Sequence, residues 1–409
     1  MSAPHSLDEA ARIATAEGAG PADRVRLDPA PMIEPPGGPG GSGPAQLACL
    51  DSLRGIAILL VIFFHLGSAD LAAFHPAVGL ALRPFRYGYT GVHLFLVLSG
   101  FCLAHSMIQR SRAGRAPSYR AYLAARWRRI APPYYAAMAL YLAIPLAALA
   151  LGRPAPATGR CLSWRQVSTH ALFLHGLWGD TVYAINTPFW SLSLEFQFYL
   201  LLPFLMAIAA RFGSVAMVGL VAAATVAFRA ALAGLFPGEV HLVNGFFLGR
   251  LTEFALGMLV AWWYNRRAPG RTSRAALPLL LGSAICLACG IWAAEGPAAP
   301  VTDYAFGLGY ALLVAAALVG VEAGPRFRRV FEAPWLVWVG VVSYSLYLCH
   351  SLVIERGFQV YLGAARGAGA AADVAAFVAV FGLVLLLGWA FHAAVERPFL
   401  AKKARRTRG

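Results

Sequence analysis

The sequence predicts an all-α integral membrane protein with about ten transmembrane helices and a disordered N-terminal tail. Of its 409 residues, 59% are hydrophobic and only 13% are charged, whereas soluble domains are typically about 45–50% apolar and about 25% charged. Ten apolar stretches each reach the roughly 20 residues that a helix needs to cross a bilayer. This composition disfavours the soluble enzyme folds.

The predicted elements begin with a polar tail and end with a basic one. Residues 1–46 carry Pro and Gly clusters and no sustained apolar period, which predicts a disordered cytoplasmic tail. The transmembrane domain is predicted over 47–399, and residues 400–409 form a basic cytoplasmic tail. The predicted spans are 48–67, 90–109, 131–151, 189–210, 213–235, 244–264, 276–294, 302–321, 335–356 and 373–396.

The basic residues predict the orientation of these spans. A net charge of +15 suggests nucleic acid in a soluble protein, but here the cations fall in short clusters between apolar runs. Alternate loops hold 20 Lys and Arg on one side and 7 on the other, so the positive-inside rule predicts the inner (plasma) membrane with both termini cytoplasmic and no nucleic-acid partner. In the long loop 152–188, the apolar stretch 171–178 is too short to span and is expected at the membrane interface.

Two ionisable residues lie within the first span and are the first functional candidates, because charged groups inside a membrane are costly. Arg54 and His65 are eleven residues apart, which on a helix is three turns plus about 20°, so both project from one face roughly 16 Å apart. The alternative is that Arg54 snorkels to the interface and His65 is a satisfied polar residue near the outer headgroups.

Six short motifs follow one another along the membrane region. They comprise residues 50–57 with His65, 91–101, 126–129 with Pro132 and Tyr134, 189–199, 343–350 and 396–399. In this order they resemble acyltransferase family 3, the membrane O-acyltransferases that include O-antigen acetylases. One departure is His93, where members of that family commonly have Asp, so any role of that Asp does not carry over.

The resemblance implies transfer of an acyl group, most simply acetyl, from acyl-CoA to a hydroxyl of a carbohydrate or glycolipid. His65 is then the general base, since an imidazole titrates at about pH 6.5. Arg54 holds the pantetheine arm or stabilises charge on the thioester oxygen. Glu195 is the third catalytic candidate, with the alternative that it neutralises an arginine such as Arg54 or Arg250.

Donor binding is assigned to Arg126 and Arg129. Three residues apart, they share a helix face within the most basic cluster, and arginine binds phosphate in bidentate fashion. The alternative is a basic flank that attracts lipid headgroups. The acceptor path is assigned to Ser99, Tyr344, Tyr347 and His350, for which interhelical hydrogen bonding is the alternative.

No metal is predicted, because the CxxC of Cys286 and Cys289 lies in an apolar span without a second ligand pair. The absence of a GxSxG motif favours direct attack over an acyl-enzyme. Only 13 residues follow Glu396, so we expect transfer to be completed in the membrane domain or by a separate protein.

Three rival functions remain open at this stage. A small secondary metabolite, such as a macrolide, is an alternative acceptor. A secondary transporter or flippase for an anionic metabolite would predict an internal repeat, and a polysaccharide synthase subunit would leave His65 dispensable. The acceptor, the acyl length and the oligomeric state are not determined by the sequence.

Overall fold

The computed structural model describes residues 48–68, 74–150, 163–267, 273–296, 301–365 and 367–399, and these ranges contain helices and turns but no β-strand. The all-α prediction is therefore confirmed for the part of the chain that is described. The predicted tails at 1–46 and 400–409 lie outside the described residues.

Fifteen α-helices make up the described ranges. They are α1 Ala48–Gly67, α2 Pro76–Leu82, α3 Gly91–Arg112, α4 Tyr119–Ala150, α5 Trp164–Ala171, α6 Trp190–Phe212, α7 Ser214–Leu235, α8 Leu242–Gly245, α9 Phe247–Arg266, α10 Ala276–Ala294, α11 Thr302–Ala323, α12 Pro325–Phe331, α13 Pro334–Val341, α14 Ser343–Ala365 and α15 Ala370–Phe391. A 3₁₀ segment, Arg83–Thr90, leads into α3, and a π-helical turn, His392–Glu396, extends α15.

Each of the ten predicted spans is helical, but fewer pass as membrane spans by length and composition. Seven helical segments of the described chain are long and apolar enough to cross a bilayer, and an eighth arises if α13 and α14, bent by 74°, form one broken span. The expected number of about ten is therefore approximate. Helices α4 and α9 are not among the seven; α9 carries the charged residues Arg250 and Glu253 within its length.

Glycines bring the central helices into close contact. A Cβ at Gly257 of α9 would lie 2.0 Å from the Val97 carbonyl oxygen of α3, and one at Gly100 of α3 would lie 2.0 Å from the Phe254 carbonyl oxygen. Only glycine permits this approach. Because one face of α3 is in close contact with α9, a different face of α3 is left to line the site.

The loop before α6 packs Phe173 into the bundle, while Leu172, Leu174 and Trp178 of the same stretch are exposed. Phe173 is 1% exposed and has a positive φ of 58°, so the backbone reverses there. Its carbonyl accepts a 2.7 Å hydrogen bond from the Ser193 hydroxyl, and its ring packs 4.5 Å from that of Tyr134. Phe173 therefore lies in an aromatic pocket between α4 and α6.

Candidate active site

One cavity of about 130 Å³ collects most of the predicted site residues. Helices α1, α3, α4, α6 and α14 line it. Seven of the nine residues assigned to the site from the sequence contribute to the lining: Arg54, Ser99, Arg126, Arg129, Glu195, Tyr344 and Tyr347. The two exceptions are His65 and His350.

Helix α3 gives the cavity its length. Its lining side chains include Val92, Phe95, Ser99, Cys102 and Ser106, which recur every three or four residues and therefore share one face. From the first to the last is a rise of about 21 Å along the helix. Of these lining residues, the sequence analysis identified only Ser99. The helical period that passes through Ser99 also indicates the others.

Arg126 and Arg129 supply unpaired positive charge to this cavity. Within the described residues, neither guanidinium lies within 4 Å of a carboxylate oxygen, and Nε of Arg126 is buried without a hydrogen-bond partner. The Arg126 guanidinium stands over the Tyr122 ring at 5.6 Å. Its electrostatic interactions with Arg110 and Cys102 place it beside the C-terminal half of α3. An anion entering this end of the cavity would meet two cations that are not in a direct ion pair, although Glu195 interacts electrostatically with Arg126.

Arg54 is already balanced by a neighbouring carboxylate. Its Nη1 lies 2.6 Å from Oδ1 of Asp51, one turn earlier in α1, and its Nη2 donates to Sγ of Cys102 at 3.1 Å. Arg54 therefore connects α1 to the lining face of α3 without adding net charge.

Glu195 makes a hydrogen bond where an ion pair was one expectation. The Tyr199 hydroxyl donates to its Oε1 at 2.6 Å, and no Arg, Lys or His nitrogen lies within 4 Å of it among the described residues. Glu195 therefore makes no direct ion pair with Arg54 or Arg250, although it interacts electrostatically with Arg54. The carboxylate instead faces the cavity that holds Arg126 and Arg129.

Tyr347 stands between this cavity and the two histidines. Its hydroxyl lies 2.7 Å from the Ser191 Oγ and 2.8 Å from the Pro188 carbonyl oxygen. On its far side the His350 ring centroid is 5.7 Å away, and the His65 ring follows 4.8 Å beyond His350. A tyrosine side chain therefore lies between the cavity that Arg54 lines and His65.

A second buried polar cluster lies between α3, α7, α9 and α11. Nδ1 of His93 is 3.2 Å from Glu253 and its Nε2 is 3.4 Å from Asp303. Asp303 also pairs with Arg229 and Arg250, each at 2.6 Å, which supplies the partner for Arg229 that the sequence did not reveal. The two guanidinium groups, of Arg229 and Arg250, thus balance the two carboxylates, of Glu253 and Asp303.

The residue types of this second cluster resemble a metal site, but their arrangement does not fit one. One ligand atom each from His93, Glu253 and Asp303 lies within 4.8 Å of the others. Nη1 of Arg250 is 3.1 Å from Glu253, 2.6 Å from Asp303 and 3.4 Å from His93. The guanidinium already interacts with all three groups, so a divalent cation would meet a positive charge.

Three known proteins are similar to this chain over long stretches. Acyltransferase MdmB of Streptomyces mycarofaciens is 26% identical over 382 residues, covering 88% of this chain and 93% of the relative. Exopolysaccharide production protein ExoZ of Rhizobium meliloti is 27% identical, covering 79% and 93%. Peptidoglycan O-acetyltransferase OatA of Listeria monocytogenes is 24% identical, covering 75% of this chain and 49% of the relative.

No solved structure matches the chain. The sequence model of a protein family described as "Acyltransferase domain" matches residues 47–393, a range that contains every helix around the cavity. The resemblance drawn from the six motifs is thereby confirmed, and the chain belongs to this family of membrane acyltransferases.

Proposed function

We propose that this membrane acyltransferase moves an acyl group, most simply acetyl, from cytoplasmic acyl-CoA to a hydroxyl of a carbohydrate or glycolipid. The observation that carries the proposal is that Arg126 and Arg129, both half-buried and outside any direct ion pair among the described residues, line one end of an elongated cavity, with Nε of Arg126 buried and unpartnered. Acyl-CoA has the matching form, with phosphates at one end, a long pantetheine arm and a thioester at the other.

The two arginines bind phosphate in this proposal. Guanidinium groups bind phosphate through paired, charge-assisted hydrogen bonds, and a buried cation without a carboxylate gains most from such a ligand. The pantetheine arm then extends along α3 past Arg54, whose charge is balanced by Asp51. The arm is uncharged, which suits that neutral section of the cavity.

His65 is the general base of the proposed reaction. Its Nδ1 lies 2.9 Å from the Val61 carbonyl oxygen and donates its hydrogen there, which leaves the Nε2 lone pair available for a proton. The acceptor hydroxyl oxygen attacks the thioester carbon and its proton passes to Nε2 of His65. The carbon–sulfur bond breaks, and the proton is then returned to the CoA thiolate.

His65 does not touch the cavity, so Tyr347 must move for the thioester to reach it. The histidine lies only two ring contacts from the lining, through His350 and Tyr347. A change of side-chain rotamer at Tyr347 would break its hydrogen bonds to Ser191 and Pro188 and open the path.

The location and acceptor follow from charge and from the relatives. The basic clusters favour a cytoplasmic position for the Arg126 end and for both termini, in the plasma membrane. Two relatives carry names that refer to peptidoglycan O-acetylation and to exopolysaccharide production, which supports a carbohydrate acceptor. Membership of an acyltransferase family disfavours the transporter and the non-catalytic subunit.

The test is the binding of acetyl-CoA to the detergent-purified protein. We expect saturable binding that is lost in the double variant Arg126→Ala/Arg129→Ala and kept in His65→Ala. Arg128→Ala is the matched control, because Arg128 is exposed on the same helix and outside the cavity. If acetyl-CoA and longer acyl-CoAs fail to bind at millimolar concentration, the donor assignment is wrong.

A further inference from the structure

We infer that, in the resting enzyme, Phe95 and Tyr347 form the wall that limits the length of the acyl group a bound donor can carry into the cavity, so that donors with short acyl chains such as acetyl and propionyl bind best. The inference rests on the proposed function, because it requires acyl-CoA to occupy the cavity. It assigns the limit on acyl length to two residues of this chain.

The direction of the donor follows from the two ends of the cavity. Arg126 lies about two turns into α4, and a connection of only six residues joins the end of α3 to the start of α4, so Arg126 lies near the C-terminal half of α3. The opposite end is lined by Val92 and Phe95 from the first turns of α3. A donor that places its phosphates against Arg126 therefore carries its acyl group toward Phe95.

Phe95 and Tyr347 meet across that end of the cavity. Their ring centroids are 6.1 Å apart with the planes at 76°, an edge-to-face arrangement that is favourable for aromatic rings. The Tyr347 hydroxyl is held by Ser191 and by the Pro188 carbonyl, so this half of the wall is fixed in the resting enzyme. Phe95 has no polar anchor and is held by packing alone.

The region behind the wall offers no further room in this state. His350 lies directly beyond Tyr347, with ring centroids 5.7 Å apart, and is 0% exposed. A longer acyl chain would have to displace one of the two rings. The rotation of Tyr347 that opens the path to His65 follows donor binding, so the limit on chain length acts at the binding step.

Shortening a side chain at the wall and shortening one nearer the basic end should have different effects on donor binding. Replacing Phe95 by Ala removes an apolar ring where the acyl group ends, so additional methylenes of the donor can be buried there. Leu103 lines the same cavity from the same helix, two turns closer to the basic end. Its truncation enlarges the space around the pantetheine arm and leaves the acyl end unchanged.

The experiment compares acetyl-, butyryl- and hexanoyl-CoA in competition for the detergent-purified full chain, with free CoA as the reference. We expect Phe95→Ala to raise the affinity for hexanoyl-CoA relative to acetyl-CoA by roughly tenfold, as burial of about two methylenes would. Phe95→Leu, a milder change, should give a smaller shift in the same direction. Leu103→Ala should leave the preference as in the unaltered protein.

The outcomes separate this inference from the proposed function. If no acyl-CoA binds the unaltered protein, the donor assignment fails and the wall fails with it. If acetyl-CoA binds and Arg126→Ala/Arg129→Ala abolishes binding, yet neither Phe95 variant changes the chain-length preference, only the wall is refuted. A shift of the same size in Leu103→Ala also refutes it, because the acyl group then lies elsewhere.

Discussion

His65 and His350 stand edge to face, with ring centroids 4.8 Å apart and planes at 76°, although they belong to helices at opposite ends of the sequence. Each directs Nδ1 at a backbone carbonyl, that of Val61 at 2.9 Å for His65 and that of Tyr347 at 2.8 Å for His350. The same tautomer therefore suits both rings and leaves both Nε2 atoms as acceptors. Nε2 of His350 is buried and has no hydrogen-bond partner.

This arrangement predicts that His65 is needed for chemistry and not for donor capture. In His65→Gln, transfer of labelled acetyl from acetyl-CoA into the extractable carbohydrate of the cell envelope should fall by about 10²- to 10⁴-fold, the usual contribution of a general base. Binding of acetyl-CoA should stay within a few-fold. A variant that transfers acetyl at the normal rate would show that His65 is not the base.

The pairing of Arg54 with Asp51 predicts a non-additive effect on stability. Asp51 is 4% exposed, so Asp51→Ala leaves a buried guanidinium without its partner and should cost about 3–5 kcal/mol. The double variant Asp51→Ala/Arg54→Ala should unfold at a higher temperature than Asp51→Ala alone. Thermal unfolding in detergent measures both, and equal midpoints would mean that the two charges are not coupled.

The second cluster predicts that the unfolding temperature does not respond to metal ions but falls when the Asp303 carboxylate is lost. Asp303→Asn leaves Arg229 and Arg250 without their shared carboxylate and should lower the unfolding temperature. Glu295→Gln, which breaks an exposed pair with Arg86, should change it little. A chelator or added zinc should not move the midpoint, because Arg250 already interacts with all three candidate ligands. A metal-dependent rise in the midpoint would argue for an ion at His93.

The close contact of α3 and α9 predicts a severe effect of a single methyl group. In Gly257→Ala, the new Cβ would lie 2.0 Å from the Val97 carbonyl, so the helices must separate and the lining face of α3 must shift. We expect a lower unfolding temperature together with weaker acetyl-CoA binding. Gly382→Ala is the control, because nothing lies within 4 Å of that position, and it should be neutral or slightly stabilising. Equal effects of the two changes would contradict this packing.

Local sequence was sufficient for the relationships within single helices. The apolar stretches predicted the helical ranges, because a helix that crosses lipid must be apolar over its length. The three-residue spacing of Arg126 and Arg129 predicted a shared helix face, and both residues line one cavity. Arg250 and Glu253 have the same spacing and lie 3.1 Å apart. The order of six motifs was enough to identify the family.

By itself, then, the sequence determined the all-α membrane fold, the family and the face of each helix that carries polar residues. Only the tertiary structure decided which of those faces meet. It separated His65 from the cavity that holds Arg54, joined His65 to His350, and enclosed His93 among Arg250, Glu253 and Asp303. The physical reason is that helical periodicity determines directions within one helix, whereas the rotation and depth of one helix against another depend on side-chain packing and close glycine contacts between segments distant in sequence.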